Sequence, residues 1–162
     1  MTEKGYKACN EFFAAHKKTG KAATILQKGL ELLVYAVYPL FITYLFFTAN
    51  PMWWKSLLVC GMGFLAVSFI RKRINAQRPY EKFGIEPTLK KDKKGCSFPS
   101  RHAFSAAVIA VNVGVVWLPF GIVLGIVALA IATLRVILGV HFIKDVAFGL
   151  LCGVAVGLIV LI

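Results

Sequence analysis

The stretch CSFPSRHAFSAA, residues 96–107, leads from a lysine-rich loop into an apolar run that extends to Leu134. It places Ser100, Arg101 and His102 side by side at the entrance to sequence that is suited to lipid. A turn at this point requires a proline or a serine, but it requires neither an arginine nor a histidine. The cluster therefore indicates that this entrance does more than reverse the chain.

The composition is that of a membrane protein. Of the 162 residues, 59% are hydrophobic, and the mean hydropathy is +0.75. A helix needs roughly 20 apolar residues to cross the hydrocarbon core of a bilayer. The sequence therefore predicts a polytopic helical membrane protein and excludes the soluble classes. Four stretches carry no charged residue, namely Leu32–Trp54, Ser56–Ile70, Ala103–Leu134 and Val146–Ile162.

The predicted fold is all-α, a transmembrane bundle of about five membrane-spanning helices. Asn50-Pro51 separates the first segment from the second. Pro119, which cannot donate a helical hydrogen bond, divides the long run after residue 118. The corner at residues 138–141 separates the last two segments. The predicted segments are Gly29–Ala49, Trp53–Ile70, His102–Leu118, Phe120–Leu138 and Phe142–Ile162.

The first 28 residues differ from the rest in composition. They are rich in lysine and lack the compact apolar core of a cleavable signal peptide. Apolar residues among the lysines predict a short helix on the membrane surface, and a solvated charged tail is the alternative. Residues 1–28 are thus predicted to be a basic interfacial segment, and residues 29–162 a membrane-embedded domain.

The net charge of +12 would suggest nucleic acid as the partner of a soluble protein. Here the basic residues adjoin apolar segments, so lipid headgroups or a phosphate substrate are the expected partners, and nucleic acid is not. The four cysteines have no metal-type spacing, and neither a metal nor another cofactor is expected. The oligomeric state is left open.

Three polar clusters are predicted to meet at one membrane face. In a bundle of alternating helices, the ends of the second and fourth segments and the starts of the third and fifth lie on the same side. Charged side chains that faced lipid there would cost on the order of 10 kcal/mol together, so they are expected to line a polar pocket. The clusters are Arg71, Lys72, Arg73 and Arg78, then Ser100, Arg101 and His102, and finally Arg135, His141, Lys144 and Asp145.

The chemistry of this pocket suits a phosphate group. Arginine binds phosphate oxygens bidentately, and Ser100 after a proline is typical of a helix N-cap, where free N–H groups attract anions. His141 and Asp145 are four residues apart, so one helix face presents both. The carboxylate can hold one imidazole nitrogen and leave the other as a nucleophile, while His102 can protonate a leaving alkoxide. The pattern indicates phosphoryl transfer through a phosphohistidine.

These residues resemble the three-part signature of the phosphatidic acid phosphatase type 2/haloperoxidase superfamily. The resemblance runs from Arg71 to Asp145 and implies a membrane lipid phosphatase that needs no metal. It implies that His141 is the nucleophile, that Asp145 orients it and that His102 is the general acid. It also implies that the phosphate is bound by Arg71 or Lys72 and by Arg78, Ser100 and Arg135. Arg101, which is not part of the family pattern, is a further candidate phosphate ligand.

The sequence departs from the family pattern at three positions. Arg71 stands where the family has lysine, and Lys72 beside it is an equal candidate for the contact. Arg101 replaces the usual glycine, so it either adds a ligand or crowds the pocket. Leu134 replaces a serine, which removes one possible hydrogen bond.

Several functional alternatives stay open at this point. The substrates of similar enzymes include phosphatidic acid, phosphatidylglycerol phosphate and polyprenyl phosphates or pyrophosphates, and the sequence does not choose among them. A non-catalytic lipid-phosphate binding or transport protein is the alternative to an enzyme, although it would not need both histidines and Asp145. A haloperoxidase is excluded by the hydropathy, because those members are soluble.

The side of the membrane on which the pocket lies is indicated by lysines. By the positive-inside rule, the lysine excess at the pocket's end favours the cytoplasmic side of the cell membrane, whereas relatives that recycle lipid carriers work on the outer face. The opposite end has little more than Lys55. The lysines at the pocket's end are Lys4, Lys7, Lys17, Lys18, Lys21, Lys28, Lys82, Lys90, Lys91, Lys93 and Lys94.

Overall fold

The computed structural model describes residues 1–89 and 94–162, and the elements in these ranges are helical. The chain forms seven α-helices and one short 3-10 helix within the described residues. They are α1 (Glu3–Ala15), α2 (Lys17–Phe47), α3 (Met52–Ile74), α4 (Pro79–Phe83), α5 (Arg101–Val116), α6 (Leu118–Ile137), α7 (Ile143–Leu158) and the 3-10 turn Ile159–Leu161.

Each of the five predicted membrane segments corresponds to one long helix. Within residues 1–89 and 94–162, four helical stretches are long and apolar enough to cross a bilayer, and α5, with 16 residues, is shorter. Ten of the residues of α5 are buried, from Ala103 to Val113. At 1.5 Å per residue α5 is about 24 Å long. Because α5 is enclosed by the other helices, it does not have to match the bilayer thickness with a lipid-facing surface.

The break between the third and fourth segments lies two residues earlier than the proline suggested. α5 ends at Val116, Trp117 adopts an extended conformation, and α6 begins at Leu118. Pro119 is therefore in the first turn of α6. Backbone N–H groups in a first turn have no helical acceptor, so a proline there sacrifices no hydrogen bond.

Three glycines of α7 bring that helix unusually close to α5. A Cβ atom on Gly149 would lie 2.6 Å from the carbonyl oxygen of Ser100, and one on Gly153 would lie 2.6 Å from that of Phe104. A Cβ atom on Gly157 would come similarly close, at 2.7 Å, to a side chain of α5. This close approach positions the start of α5 directly beside the start of α7.

The N-terminal helix α1 packs on the end of the bundle that carries the polar clusters. Tyr6 of α1 is buried against Phe83 and Phe142, and its hydroxyl donates to the carbonyl oxygen of His141 over 3.1 Å. Burial, and then the charge of Asp145, raises the pKa of Tyr6 to about 12, so the hydroxyl stays a donor.

The first long helix begins earlier than predicted. α2 starts at Lys17, so residues 17–28 continue the first membrane-spanning helix and do not form a separate surface helix. The division of the chain at residue 28 remains a prediction.

Candidate active site

His141 and Asp145 lie together at the junction of α6 and α7. Gly139, with a φ of 76°, lets the chain turn between these helices, and the N–H of His141 donates to the carbonyl oxygen of Arg135 over 3.1 Å. Nδ1 of His141 is 3.6 Å from Oδ2 of Asp145 and 3.4 Å from Oγ of Ser97. The Ser97 hydroxyl donates to the same carboxylate oxygen, as does the N–H of Phe142 over 3.1 Å.

These contacts fix the tautomer of His141. Ser97 and Asp145 both face Nδ1, and a carboxylate can only accept, so the proton belongs on Nδ1. Nε2 then carries the lone pair. Burial lowers the pKa of His141 well below its ordinary value of about 6.5, and Asp145 opposes this shift while nearby arginines reinforce it. The ring is thus neutral at physiological pH, which is the form a nucleophile requires.

A carboxylate from α2 joins the second group of site residues. Oε1 of Glu31 accepts a hydrogen bond from Nη2 of Arg135 over 2.6 Å and lies 3.7 Å from Nε2 of His102. Gln27, one turn earlier on α2, donates to the same oxygen over 2.6 Å. Arg135 is fully buried, and its Nε and Nη1 have no hydrogen-bond partner among the described residues. Glu31 therefore holds one side of the guanidinium and leaves the other for an anion.

Two further arginines are buried at the end of α3 and in the loop after it. Nη1 of Arg71 donates to the carbonyl oxygen of Pro99 over 2.6 Å. Nε of Arg78 donates to the carbonyl oxygen of Gly95 over 2.9 Å, and its backbone N–H donates to Glu81. Both arginines are thereby tied to the loop that precedes α5.

Ser100 occupies the N-cap position of α5, as predicted, but its hydroxyl does not cap the helix. Its backbone N–H donates to the carbonyl oxygen of Asp145 over 2.9 Å, across the close α5–α7 contact. The buried Oγ has no hydrogen-bond partner within the described part of the chain. A buried hydroxyl without a partner is costly, which makes it a candidate ligand for a bound anion.

The remaining predicted ligands line a cavity beside these residues. Lys72 and Arg101 border it together with Arg71 and Arg78. Lys72 is exposed, and Arg101 is half-buried with its guanidinium carbon 5.5 Å from the ring centroid of Phe64.

The three sequence clusters therefore meet at one end of the bundle, and the roles assigned to their residues remain predictions. Two residues were misplaced. Lys144 is exposed and lies over the ring of Phe142 outside the pocket, and Arg73 is exposed with its guanidinium over the ring of Phe69. Of the lysines named at the pocket's end, Lys90, Lys91 and Lys93 lie outside the described residues.

Three residues near the pocket were not predicted from the sequence, namely Ser97, Glu31 and Tyr6. Ser97 lies within the quoted stretch, but nothing in its spacing distinguishes it from a loop serine. Glu31 had a weak signal, since an acidic residue at the start of an apolar segment, one turn after Gln27, is unusual. Tyr6 had none.

The donor set around the pocket is cationic. In residues 1–89 and 94–162, no three His, Cys, Asp or Glu side chains come together in a way that could hold a metal ion. Arginines therefore supply the positive charge that a phosphate group would meet here.

Comparison with known proteins agrees with this architecture. A family model described as the PAP2 superfamily matches residues 52–162, more than half of the chain. Among curated proteins none matches the sequence. The match includes neither α1 nor α2, which contribute Tyr6 and Glu31.

Two solved structures share the fold over most of their length. LpxE of Aquifex aeolicus is 25% identical, with a TM-score of 0.70 over 85% of this chain and 84% of that chain. The structure described as the first transmembrane PAP2 type phosphatidylglycerolphosphate phosphatase, from Bacillus subtilis, is 26% identical, with a TM-score of 0.66 over 96% of this chain and 90% of that chain.

Proposed function

The chain belongs to the PAP2 superfamily, and we propose that it removes a phosphate group from a membrane lipid through a covalent phosphohistidine on His141. The family and the solved neighbours make it a multi-pass membrane protein of the lipid phosphatase type. The intermediate, the roles of the residues, the substrate and the side of the membrane belong to the proposal.

One observation carries this proposal. His141 is buried, it is held at Nδ1 by Ser97 and Asp145, and its ring is neutral. A binding protein needs cations for a phosphate group, but it has no need for an oriented neutral imidazole among arginines. This arrangement supports nucleophilic catalysis.

In the first step, Nε2 of His141 attacks phosphorus and forms a P–N bond. The bond between phosphorus and the leaving oxygen breaks, and protonated His102 gives that oxygen its proton. The imidazolium that develops on His141 is stabilised by Asp145. Arg71, Arg78, Arg135 and the hydroxyl of Ser100 are placed to neutralise charge on the three remaining phosphate oxygens.

In the second step, water attacks the phosphohistidine. His102, now neutral, accepts a proton from the water, the P–N bond breaks, and its electron pair returns to Nε2 of His141. Inorganic phosphate leaves, and both histidines have regained their initial protonation states.

We propose that the reaction needs no metal ion, because arginines surround the phosphate position. A site that binds a trigonal-bipyramidal phosphoryl transition state also binds vanadate, which adopts that geometry. The activity should therefore be blocked by vanadate and should persist in EDTA.

The substrate class covers lipid phosphomonoesters and pyrophosphates. The similarity to a phosphatidylglycerolphosphate phosphatase supports phosphatidylglycerol phosphate as one candidate, beside phosphatidic acid and polyprenyl phosphates or pyrophosphates. The lysine distribution supports an active site on the cytoplasmic side.

The test is release of inorganic phosphate by the purified protein from each of these lipids in mixed micelles containing EDTA. We expect release from at least one lipid, inhibition by vanadate, and no release by H141A. If the protein binds these lipids without releasing phosphate from any, it is a lipid-phosphate binding or transport protein. Release that requires added magnesium would contradict the proposed chemistry.

A further inference from the structure

A cationic cavity of about 440 Å³ is lined by Arg71 and Arg78, two of the buried arginines of the site, and is not explained by the cleavage of one phosphate group. It is bounded by the end of α3, the loop at residues 94–96 and the first residue of α5. Five of its lining side chains are basic, and none of the described residues that line it is acidic. These basic residues are Arg71, Lys72, Arg78, Lys94 and Arg101.

The cavity has an inner and an outer part. Arg71 and Arg78 form the inner part, since both are buried and tied to loop carbonyl groups. Nη1 of Arg78 is also buried and has no hydrogen-bond partner among the described residues, so it remains able to bind an anion. Lys72 and Lys94 form the exposed outer part, with half-buried Arg101 between the two.

The number of cations exceeds what one phosphate group needs. A phosphate monoester carries about two negative charges near neutral pH. Arg135, Arg71 and Arg78 carry three positive charges, one of them paired with Glu31, so they already match that charge at the point of cleavage. Clustered cations repel one another, so Lys72, Lys94 and Arg101 raise the free energy of the empty cavity unless another anion binds there.

Arg101 is the residue that closes this cavity. It stands where similar enzymes have glycine, and its guanidinium lies over Phe64 of α3, 5.5 Å from the ring centroid. Stacking on an aromatic ring holds a guanidinium in place while its N–H groups stay available. The side chain is therefore fixed next to Arg71, on the side of α5 that faces α3.

We propose that this cavity is a second anion subsite, which binds a further phosphate group of the lipid beside the one that His141 attacks. This inference rests on the proposed function and narrows its substrates to lipids with two phosphate groups. The second group is either linked directly, as in a pyrophosphate, or is a phosphodiester one short linker away. Both present the same chemistry to Arg101 and Lys94.

Binding of small phosphonates tests the subsite without any turnover. Methylenediphosphonate has two linked anionic groups that cannot be hydrolysed, and methylphosphonate has one. We expect calorimetry on the purified protein at low salt to give a Kd for methylenediphosphonate that is at least about tenfold lower than the Kd for methylphosphonate. In K94A/R101A the ratio of the two Kd values should fall to about threefold or less.

The control is K55A/R73A, which removes the same two charges elsewhere. Arg73 also lies over a phenylalanine ring, at 5.1 Å, but it does not line the cavity, and Lys55 is near the opposite end of α3. This variant should keep the wild-type ratio. Equal affinity of wild-type protein for both phosphonates, or the same loss of ratio in both double variants, would overturn the subsite.

Turnover then identifies the source of the second phosphate group. The kcat/KM values for a polyprenyl pyrophosphate, for phosphatidylglycerol phosphate and for phosphatidic acid are compared between wild type and K94A/R101A. A selective loss with either of the first two lipids supports the subsite and names its occupant. An equal loss with all three contradicts it. If no lipid is hydrolysed, the proposed function fails, whereas the phosphonate result still stands on its own.

Discussion

His141, the proposed nucleophile, is almost completely buried, at 1% exposure. Burial disfavours the imidazolium, so the folded protein holds this ring neutral at pH values at which a free histidine is charged. The proposed nucleophile is therefore expected to stay neutral at pH values below the ordinary pKa of histidine. On acidification His141 binds a proton in the unfolded chain but stays neutral in the folded chain. The stability of the folded protein therefore falls as the pH falls below the ordinary pKa of histidine.

The chain has only two histidines besides His141, so replacing both of them allows the titration of His141 to be observed by itself. In H16Q/H102Q, ¹⁵N-histidine NMR in detergent micelles reports His141 alone. We expect the neutral Nδ1–H pattern to persist from about pH 8 to about pH 5. A midpoint near pH 6.5 would show that burial does not control this ring.

Glu31 is the second residue with a measurable consequence, because its carboxylate contacts Arg135 and lies near His102. The carboxylate positions the ring of His102 for proton transfer, but its negative charge opposes the binding of an anion. E31Q should therefore lower kcat by about tenfold, because His102 loses the carboxylate that positions it. The same variant should bind vanadate more tightly.

Opposite changes in kcat and in vanadate affinity distinguish positioning from general damage to the fold. The matched control is E11Q, which makes the same substitution at an exposed position of α1 and should change neither quantity. Parallel losses of kcat and vanadate affinity in E31Q would indicate a merely structural role.

Among the helices, the contact of α5 with α7 determines whether the site assembles. Gly149 and Gly153 allow the N–H of Ser100 to reach the carbonyl oxygen of Asp145. This joins the helix that carries His102 to the helix that follows His141. Packing of small residues is a general way to bring membrane helices close together.

G153A tests this contact with the smallest possible change. The added Cβ would lie 2.6 Å from a backbone carbonyl oxygen of α5, so the helices must separate. We expect a loss of about 1–3 kcal/mol of stability, seen as a lower Tm in detergent, together with reduced activity. G61A in α3 is the control, since its Cβ would meet nothing within 4 Å. If the Tm of G153A equals that of G61A, the close packing of α7 on α5 does not contribute to stability.

For the molecule as a whole, the open question is which side of the membrane carries the site. Cys96 lines the cationic cavity and is partly exposed. In a variant that keeps this cysteine alone, we expect a membrane-impermeant maleimide to leave Cys96 unlabelled in intact cells and to label it after permeabilisation. Labelling in intact cells would put the site on the outer face and contradict the lysine argument.

The convergence of the polar clusters could be predicted from sequence because it depends only on segment count and on the cost of charge in lipid. The spacing of His141 and Asp145 is likewise a property of one helix. Ser97 and Glu31 reach the site through tertiary packing, which periodicity does not encode. The same is true of the burial of Tyr6. The helix boundary near Pro119 was predicted wrongly. A proline can precede a helix or lie within its first turn, and the sequence alone does not distinguish the two.

The central claim is that phosphate passes through His141, and trapping the intermediate tests it most directly. With ³²P-labelled p-nitrophenyl phosphate, whose leaving group needs no acid, H102Q should form the phosphohistidine but hydrolyse it slowly. We predict a burst of about one nitrophenolate per protein, with an alkali-stable, acid-labile label that mass spectrometry places on His141. The label should be absent from H102Q/H141A. Turnover by wild type without such a burst and label in H102Q, or a label that survives removal of His141, would contradict the account.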